Sequence, residues 1–481
     1  MATSKGKVFS NLIWRFLEKT GAQLVTFCLM LVLARILDKK DFGMATIIGV
    51  LSSIFSVFVS YGLGNSLIQK KDADAIDYST VFYANCVLCG LLYIILFFTA
   101  PFISDLYNRP ELTNMIRVSG ITILVSGVKN IQQAYVSKHL LFKVFFKSTL
   151  IGTICSAVVG VVMALSGFGV WSLVMQPLVN NIIDTIMLWI FVKWRPQRLF
   201  DFLRLKKLFS YGWKLSLSIF INTAYEKIRA LIIGKIYSPT DLALFEQGGL
   251  FPNTVVGNVD ESINSVMFPV LSETQNDLSV VKSITRKSIK VSVFCIAPLV
   301  MGLAGAAEQI VNVFLTDKWI DCVPFMRIFC IIYMFFPIHT SNQNATKAIG
   351  RSDIILYLEF VKKIINVITI LICMHYSVLV MAVSLLVTDF MAQIINSEPN
   401  RRMLGYGYLE QLKDIMPCIL LASAMGGIVY LLGFLPLNDI ALLFIQIPAG
   451  ALIYIGTSYL FKIDQLFYLK DIIIDLIEAK K

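Results

Sequence analysis

The chain has 481 residues, of which 57% are hydrophobic and 15% are charged, and its mean hydropathy is +0.74. A soluble globular domain of this length does not normally combine such values. Its formal net charge of +11 is also found in nucleic-acid-binding proteins, but in a membrane protein Lys and Arg are first of all markers of the cytoplasmic side. The composition therefore excludes an ordinary soluble domain and favours a membrane protein that binds no nucleic acid.

Apolar stretches recur along the whole chain. A helix needs about 20 mostly apolar residues to cross a hydrocarbon core of roughly 30 Å. Stretches of this kind predict an all-α, polytopic membrane protein with about fourteen transmembrane helices. The predicted helices cover residues 8–36, 43–68, 80–104, 113–137, 144–166, 170–192, 212–236, 243–270, 288–315, 322–346, 354–375, 378–397, 412–434 and 439–461.

Charge and internal repetition organise these helices. If both termini are cytoplasmic, most of the 42 Lys and Arg residues fall in cytoplasmic breaks, as the positive-inside rule requires.

Shifting the sequence along itself aligns Gln133 with Gln343 and Asp184 with Asp389, which indicates two parallel repeats. We predict an N-terminal six-helix lobe at 1–197, an amphipathic cytoplasmic linker at 198–211, a C-terminal six-helix lobe at 212–400, two additional transmembrane helices at 401–462 and a cytoplasmic amphipathic tail at 463–481.

The first predicted helix carries a polar face. Arg15, Lys19 and Gln23 are spaced by four residues and so lie on one side of a helix. A charge inside the bilayer costs at least about 2.5 to 3.5 kcal/mol on insertion scales, so such groups usually face a protein interior or a wet cavity. We predict that this face binds an anionic substrate in a cavity. The alternative is that Glu18 neutralises Arg15 and Lys19, or that both snorkel to the interface.

The seventh predicted helix, which is the repeat partner of the first, has a similar face. It carries Asn222, Glu226, Lys227 and Arg229. Arg can grip a phosphate with two parallel hydrogen bonds, whereas Lys acts as a point charge. We predict that Asn222, Lys227 and Arg229 line the substrate cavity.

The fourth and tenth predicted helices carry amides and an imidazole at corresponding places. Lys129 and Gln133 lie on the fourth helix, and His339 and Gln343 on the tenth. Such groups suit sugar hydroxyls and make these residues further candidates for substrate binding. The alternative is polar packing between helices, which is common in membrane bundles.

Three acidic residues are candidates for binding a coupling H⁺ or Na⁺. They are Asp184, Asp389 and Glu226, because a desolvated carboxylate holds a proton more readily. Asp184 and Asp389 are equally suited to act as structural partners of Lys129 or Lys362.

Enzymatic motifs are missing from the sequence. It contains no phosphate-binding GxxxxGK[ST] loop, no HExxH and no GxSxG. The Cys86–Cys89 pair has no His or Asp companion, so it does not indicate a metal or redox site. We predict a protein that is not an enzyme, with no catalytic residues, no metal and no cofactor.

Short motifs recur in the predicted loops in a fixed order. They stand at residues 34–38 with 41–43, 106–108 with 110–112, 167–174, 268–272 with 275 and 277, and 318–319. These motifs resemble one transporter family, the polysaccharide transporter (Wzx-type flippase) branch of the multidrug/oligosaccharidyl-lipid/polysaccharide exporter superfamily. Where relatives often have Gly just before the Lys of the last motif, this chain has Thr316 and Asp317, a departure that concerns loop conformation.

The resemblance implies a function. It implies two six-helix lobes around a central cavity and alternating access between them. The implied substrate is an undecaprenyl-pyrophosphate-linked oligosaccharide, flipped to the outer leaflet of the bacterial cytoplasmic membrane for O-antigen, capsule or exopolysaccharide assembly. Ion antiport is the implied energy source, and membrane lipids, a polysaccharide polymerase and chain-length machinery are the expected partners.

Three other functions compete with this one. A lipid II flippase would carry a related lipid, and a drug or small-molecule antiporter belongs to the same superfamily but usually has twelve helices and an acidic, aromatic-lined cavity. A membrane glycan polymerase or ligase would typically carry a sizeable outer loop with catalytic groups. The outer breaks predicted here are short and nearly uncharged, which disfavours such an enzyme.

Overall fold

The computed structural model describes residues 5–61, 63–70 and 72–478; within these ranges the side chains of 5–13, 15–19, 60–61, 69, 211–212, 214–215, 265–266, 268, 352, 472–473 and 475–478 are not described. In this part of the chain there are helices and no strands. The predicted all-α fold is therefore confirmed. The α-helices are α1 (Lys5–Ile36), α2 (Lys39–Tyr61), α3 (Leu63–Gln69), α4 (Ala75–Leu106), α5 (Leu112–Lys138), α6 (Phe142–Leu165), α7 (Val170–Phe191), α8 (Phe202–Ile236), α9 (Pro239–Glu273), α10 (Leu278–Gly305), α11 (Ala307–Ile310), α12 (Val323–Met334), α13 (Phe336–Ala348), α14 (Ser352–Cys373), α15 (Val378–Leu404), α16 (Tyr408–Leu432), α17 (Asp439–Leu460) and α18 (Asp464–Glu478).

Nine stretches within the described residues are long and apolar enough to cross a membrane, and the chain is a multi-pass membrane protein. Helices such as α5 and α8 fall short of that composition because each carries several charged or amide side chains. The count of fourteen spans stays a prediction. The nine stretches are Lys39–Ile68, Ala75–Leu106, Phe142–Leu165, Val170–Phe191, Leu278–Gly305, Asp317–Ala348, Val378–Leu404, Tyr408–Leu432 and Asp439–Leu460.

Helix starts are fixed by side chains that accept hydrogen bonds from otherwise unpaired N–H groups. Asp74 caps α4 in a reciprocal capping box with Asp77. Asp201 accepts from the N–H groups of Leu203 and Arg204 and so starts α8. As a result, residues 202–211 of the predicted linker and the whole predicted seventh helix form one continuous helix.

The predicted tenth helix, at 322–346, is interrupted in the structure. It divides into α12 and α13, with Phe335 between them and Pro337 in the first turn of α13. Proline has no N–H to donate, so it is tolerated in a first turn but interrupts the hydrogen bonds of a helix interior. The break places Pro337 at the start of the segment that carries His339 and Gln343.

Packing divides the chain into two compact units, residues 1–243 and 244–481. In the first unit α6 packs on α7 and α1, α4 on α5, and α8 on α2, α3 and α4. The lobe boundaries predicted from the repeats, which assign the seventh helix to the second lobe, stay a prediction.

Two close backbone approaches depend on glycine. In the first unit, a Cβ on Gly43 would lie 1.7 Å from the carbonyl oxygen of Pro239. In the second unit, a Cβ on Gly305 would lie 2.5 Å from the carbonyl oxygen of Gly426. Small residues let membrane helices approach closely, so α16 packs tightly on α10.

An ionic cluster joins α8 to the start of α4 in the first unit. Arg204 lies 2.7 Å from Asp74 and 3.4 Å from Asp77, whose fully buried carboxylate also lies 2.5 Å from Lys70. The hydrogen bond from Arg204 lowers the pKa of Asp74 to about 2. Asp74 therefore stays charged at neutral pH, and the cluster anchors the N-terminal end of α8.

The turn before Lys318 holds a strained residue. Thr316 has φ 87°, between the π-helical turn Val311–Leu315 and the 3-10 helix Asp317–Cys322. Positive φ suits glycine, whereas a β-branched residue adopts it only at a cost of about 1 to 3 kcal/mol. The departure from glycine that the sequence shows at this loop therefore coincides with backbone strain.

We expect Thr316→Gly to raise the thermal unfolding midpoint of the purified protein in detergent, because it removes a strain of order 1 kcal/mol or more. The matched control is Thr369→Gly in the interior of α14, which is expected to lower the midpoint because glycine destabilises a helix by about 1 kcal/mol. Equal lowering by both substitutions would show that Thr316 is not strained.

Candidate functional site

The first unit contains a cavity of about 500 Å³ between α1, α2, α5 and α7. Its wall is rich in hydroxyl and amide groups, with an aliphatic part from Ala45, Ile48, Leu173, Val174 and Pro177. The volume lies within the range of about 300 to 1,000 Å³ that is typical of small-molecule sites. The polar groups of the wall are Thr26, Ser52, Ser53, Ser56, Ser119, Thr122, Ser126, Lys129, Gln176, Asn180 and Asn181.

Helical spacing brings these side chains together. On α5, Ser119, Thr122, Ser126 and Lys129 follow one another at intervals of three, four and three residues. Residues three and four apart lie on one helix face. The polar stripe of α5 therefore faces the cavity as a continuous strip.

Hydrogen bonds fix part of the wall. The hydroxyls of Ser52 and Ser119 lie 2.8 Å apart and join α2 to α5. Asn181 on α7 donates from Nδ2 to the hydroxyl of Ser126 at 2.7 Å and to the carbonyl oxygen of Thr122 at 3.1 Å. Its Oδ1 is buried and has no hydrogen-bond partner among the described residues. The amide is thus held in place with one acceptor unused.

One residue of the cavity wall, Lys129, belongs to an ion pair. The Nζ atom of Lys129 lies 3.4 Å from Oδ2 of Asp184, and their side chains are 17% and 8% exposed. Asp184 Oδ1 is buried and accepts no hydrogen bond within the described part of the chain. A predicted substrate ligand and a predicted ion-coupling residue therefore lie side by side, which is the structural pairing that the sequence left open.

The second unit has a polar cluster around His339. Nδ1 of His339 is hydrogen-bonded to the amide of Asn396, and Nε2 lies 3.2 Å from Nε2 of Gln343. Gln343 donates to Glu359 at 3.0 Å, and Lys362 donates to the same carboxylate oxygen at 2.5 Å. Two predicted substrate-binding residues, His339 and Gln343, thus lie side by side, and α14 and α15 supply their other partners.

Asp389, which the predicted repeats align with Asp184, has a different partner. Its Oδ2 accepts a hydrogen bond from Gln393 at 2.6 Å, and Tyr408 donates to Oε1 of Gln393 at 3.3 Å. The paired cation that Asp184 has is replaced here by an amide.

The remaining predicted residues are dispersed. On α8, Arg229 is buried, Asn222 and Glu226 are exposed, and Lys227 is half-buried. Gln133 is half-buried one turn beyond Lys129. On α1, Gln23 is exposed. The side chains of Arg15 and Lys19 lie outside the described residues.

The sequence analysis overlooked most of the cavity wall. The stripe Ser119, Thr122 and Ser126 on α5 has regular helical spacing. Its side chains are uncharged and lower the mean hydropathy of the helix only slightly, so the hydropathy does not single them out. On α7, Gln176 and Asn180 of the wall are four residues apart, a spacing that also indicates one face. A search for polar helical stripes, rather than for buried charges, would have found both.

The sequence of the chain matches a known protein family. The family described as polysaccharide biosynthesis protein matches residues 32–324, more than half of the chain. The chain belongs to this family. The family resemblance of the loop motifs is thereby confirmed.

The relatives share little sequence identity with this chain, but they align with it over much of its length. The chain is 22% identical over 305 residues to the teichuronic acid biosynthesis protein TuaB of Bacillus subtilis, which is 63% of each chain. It is 21% identical to the succinoglycan biosynthesis transport protein ExoT of Rhizobium meliloti, over 74% of this chain and 72% of that protein. It is 24% identical to the lipopolysaccharide biosynthesis protein WzxC of Escherichia coli, over 68% of this chain and 66% of that protein.

Solved structures show the same fold. The lipid II flippase MurJ, in an inward closed conformation, matches with a TM-score of 0.75 at 16% identity, over 94% of this chain and 99% of that one. An inward-facing multidrug transporter of the MATE family matches with a TM-score of 0.61 at 13% identity, over 80% of this chain and 94% of that one. The polysaccharide biosynthesis family member described here therefore has the fold of the multidrug/oligosaccharidyl-lipid/polysaccharide superfamily.

We expect the loss of Lys129 and the loss of Asp184 to destabilise the first unit by different amounts. Lys129→Met leaves a buried, unpaired carboxylate and should cost about 3 to 5 kcal/mol. Asp184→Asn should cost less, because Lys129 borders the cavity and stays partly hydrated. Thermal unfolding of the purified variants in detergent measures both.

The double variant Lys129→Met/Asp184→Asn is the control, and we expect it to be more stable than Lys129→Met alone, since no unpaired charge remains. Simple addition of the two single effects would contradict an interaction between these residues.

Proposed function

We propose that this protein is a flippase that moves an undecaprenyl-pyrophosphate-linked oligosaccharide from the cytoplasmic to the outer leaflet of the bacterial cytoplasmic membrane. The product would serve O-antigen, capsule or exopolysaccharide biosynthesis. The role is transport rather than catalysis. Both termini are proposed to be cytoplasmic.

The observation that carries this proposal is the polar cavity of the first unit. Two of the helices that enclose it, α2 and α7, belong to stretches able to span a membrane. Polar groups at membrane depth are costly unless they face a protein interior or a wet cavity. A cavity with a wall of hydroxyls and amides suits a hydrophilic cargo such as a glycan.

The relatives support the same cargo. Three of them are named for the biosynthesis of teichuronic acid, succinoglycan and lipopolysaccharide, and one of these names includes transport. The shared element is a surface polysaccharide, which fits the hydroxyl-rich wall better than an apolar drug would.

The mechanism we propose is alternating access between two lobes, at 1–197 and 212–400, as internal repeats commonly provide. Uptake of H⁺ or Na⁺ at Asp184, Asp389 or Glu226 would drive it. Arg15, Lys19, Lys227 and Arg229 are proposed to attract the pyrophosphate. A polysaccharide polymerase and chain-length machinery would receive the product.

A second candidate is a lipid II flippase. The likeness to MurJ over 94% of this chain favours it, although 16% identity shows only the fold. Both candidates move a lipid-linked saccharide, so they differ in the glycan that is recognised.

Complementation distinguishes these functions. We expect the gene to restore polymer in a strain that carries the matching sugar gene cluster and lacks its flippase, and to release the lipid-linked intermediate that accumulates inside. Restored polymer without release of that intermediate would indicate an enzyme and overturn the transport proposal. Rescue of a strain depleted of its lipid II flippase would favour the second candidate.

The cavity itself is tested by a matched pair of substitutions. Thr122→Leu places an apolar side chain in the cavity wall, whereas Thr99→Leu makes the same change on the exposed face of α4. We expect Thr122→Leu to lower polymer production by about tenfold or more, since a lost polar contact of about 1.4 kcal/mol changes binding tenfold, and Thr99→Leu to leave it unchanged. Polymer yield, normalised to protein in the membrane, is the measurement. Equal yields from both variants would remove the cavity from the transport route.

A further inference from the structure

The segment that joins α7 to α8 and forms the start of α8 is strongly basic. Residues 193–210 contain six Lys or Arg and a single acidic residue, Asp201. The carboxylate of Asp201 caps α8 and lies 3.3 Å from Arg204, so it is already engaged. Four cations of the segment are exposed and have no acidic partner within the described residues, namely Lys193, Arg198, Lys206 and Lys207. The exposed side of the segment therefore carries uncompensated positive charge.

Large apolar side chains share this exposed side. Phe202 is 68% exposed and Leu203 is 72% exposed, and Phe200 and Phe209 are about half exposed. On α8, Phe202, Lys206 and Phe209 follow one another at intervals of four and three residues, so they lie on one helix face. Apolar side chains that are grouped in this way, rather than scattered singly, mark an interaction surface.

The opposite side of the segment is fixed to the first unit. The N–H group of Asp201 donates to Oγ1 of Thr80 at 3.0 Å. Leu208 is buried, and its carbonyl oxygen accepts a hydrogen bond from Ser66 at 3.0 Å. The ionic cluster of Arg204 adds a third attachment. The exposed cations and aromatic side chains are therefore displayed on a fixed support, which reduces the entropy that is lost when they bind a partner.

Two membrane spans of the first unit end at this segment. The stretch Val170–Phe191 ends two residues before Lys193, and the stretch Ala75–Leu106 begins next to Asp74, which pairs with Arg204. The segment therefore lies at the level of one membrane surface, where lipid head groups are its neighbours. Phe and Leu next to Lys and Arg suit this place, because the apolar side chains enter the boundary between head groups and acyl chains while the cations attract anionic lipids.

We propose that the exposed side of residues 193–210 is a binding surface for anionic phospholipids of the adjacent leaflet. The four exposed cations contact the lipid phosphates, and Phe202 and Leu203 insert beside the acyl chains. A zwitterionic phospholipid also has a phosphate, but its net charge is zero, so the surface selects lipids with a net negative charge. This inference goes beyond the proposed function, since the lipid that is bound here is not the cargo.

Native mass spectrometry of the purified full-length chain in detergent tests the proposal. The probes are palmitoyl-oleoyl-phosphatidylglycerol, which is anionic, and palmitoyl-oleoyl-phosphatidylcholine, which has the same acyl chains and no net charge. We expect the chain to bind phosphatidylglycerol about tenfold more tightly, a difference of about 1.4 kcal/mol. Equal affinities for the two lipids would overturn the proposal, and this is the result expected if the surface binds an acidic protein instead of lipid.

A charge variant connects the preference to the segment. Lys206→Gln/Lys207→Gln should lower the affinity for phosphatidylglycerol about tenfold and leave the affinity for phosphatidylcholine unchanged. The matched control is Arg401→Gln/Arg402→Gln on α15, which removes two exposed cations that are already paired with Glu398, and it should keep the preference. If both double variants lower the affinity for phosphatidylglycerol equally, the preference comes from the overall charge and the proposed surface is wrong.

An apolar variant tests the insertion of the exposed side chains. Phe202→Ser/Leu203→Ser should weaken the binding of both lipids to a similar extent, because contact with acyl chains does not depend on the head group. Unchanged affinities would overturn the insertion of these two side chains. All the substituted side chains are exposed, so the thermal unfolding midpoints of the variants should stay near that of the unmodified chain, which separates lost binding from lost folding.

Discussion

The structure depends on one constraint, which is that a polar group inside a bilayer must find its partner within the protein or in a wet cavity. Backbone N–H and C=O groups meet it by forming helices throughout the described residues. Side chains meet it less uniformly, since each buried amide, hydroxyl or charge needs a specific neighbour. Where polar side chains line a cavity, a ligand can supply hydrogen bonds that the protein itself does not.

Buried polar groups are arranged differently at two places in the structure. In the second unit, Asn342, Gln411 and Asn400 pair with one another, so a buried polar network is closed on itself. In the first unit, hydroxyl and amide side chains such as Ser126 and Asn181 line a cavity. Fully satisfied networks make a core rigid, whereas hydroxyls and amides on a cavity wall can exchange hydrogen bonds with a hydrophilic ligand.

The pairing of Lys129 with Asp184 changes how the role of each residue is interpreted. Considered separately, Lys129 suggests an anion site and Asp184 an ion-coupling site. As a pair their charges balance, and Lys129 is the member that lines the cavity, next to hydroxyl and amide groups. In the proposed function, attraction of the lipid pyrophosphate is assigned to further cations, among them Lys227 and Arg229 on α8.

The sequence by itself determined the class of fold, the approximate extent of the helices and the family, because hydropathy over some 20 residues and short loop motifs are local properties. It also named His339 and Gln343, which are four residues apart on one helix, as candidates for substrate binding. Only the tertiary structure decided that α5 and α7 face each other, which joins Lys129 to Asp184 and gathers Ser52, Ser126 and Asn181 around one cavity. These residues are far apart in the chain, and whether a buried charge is free or neutralised depends on its neighbours in space, which no local pattern specifies.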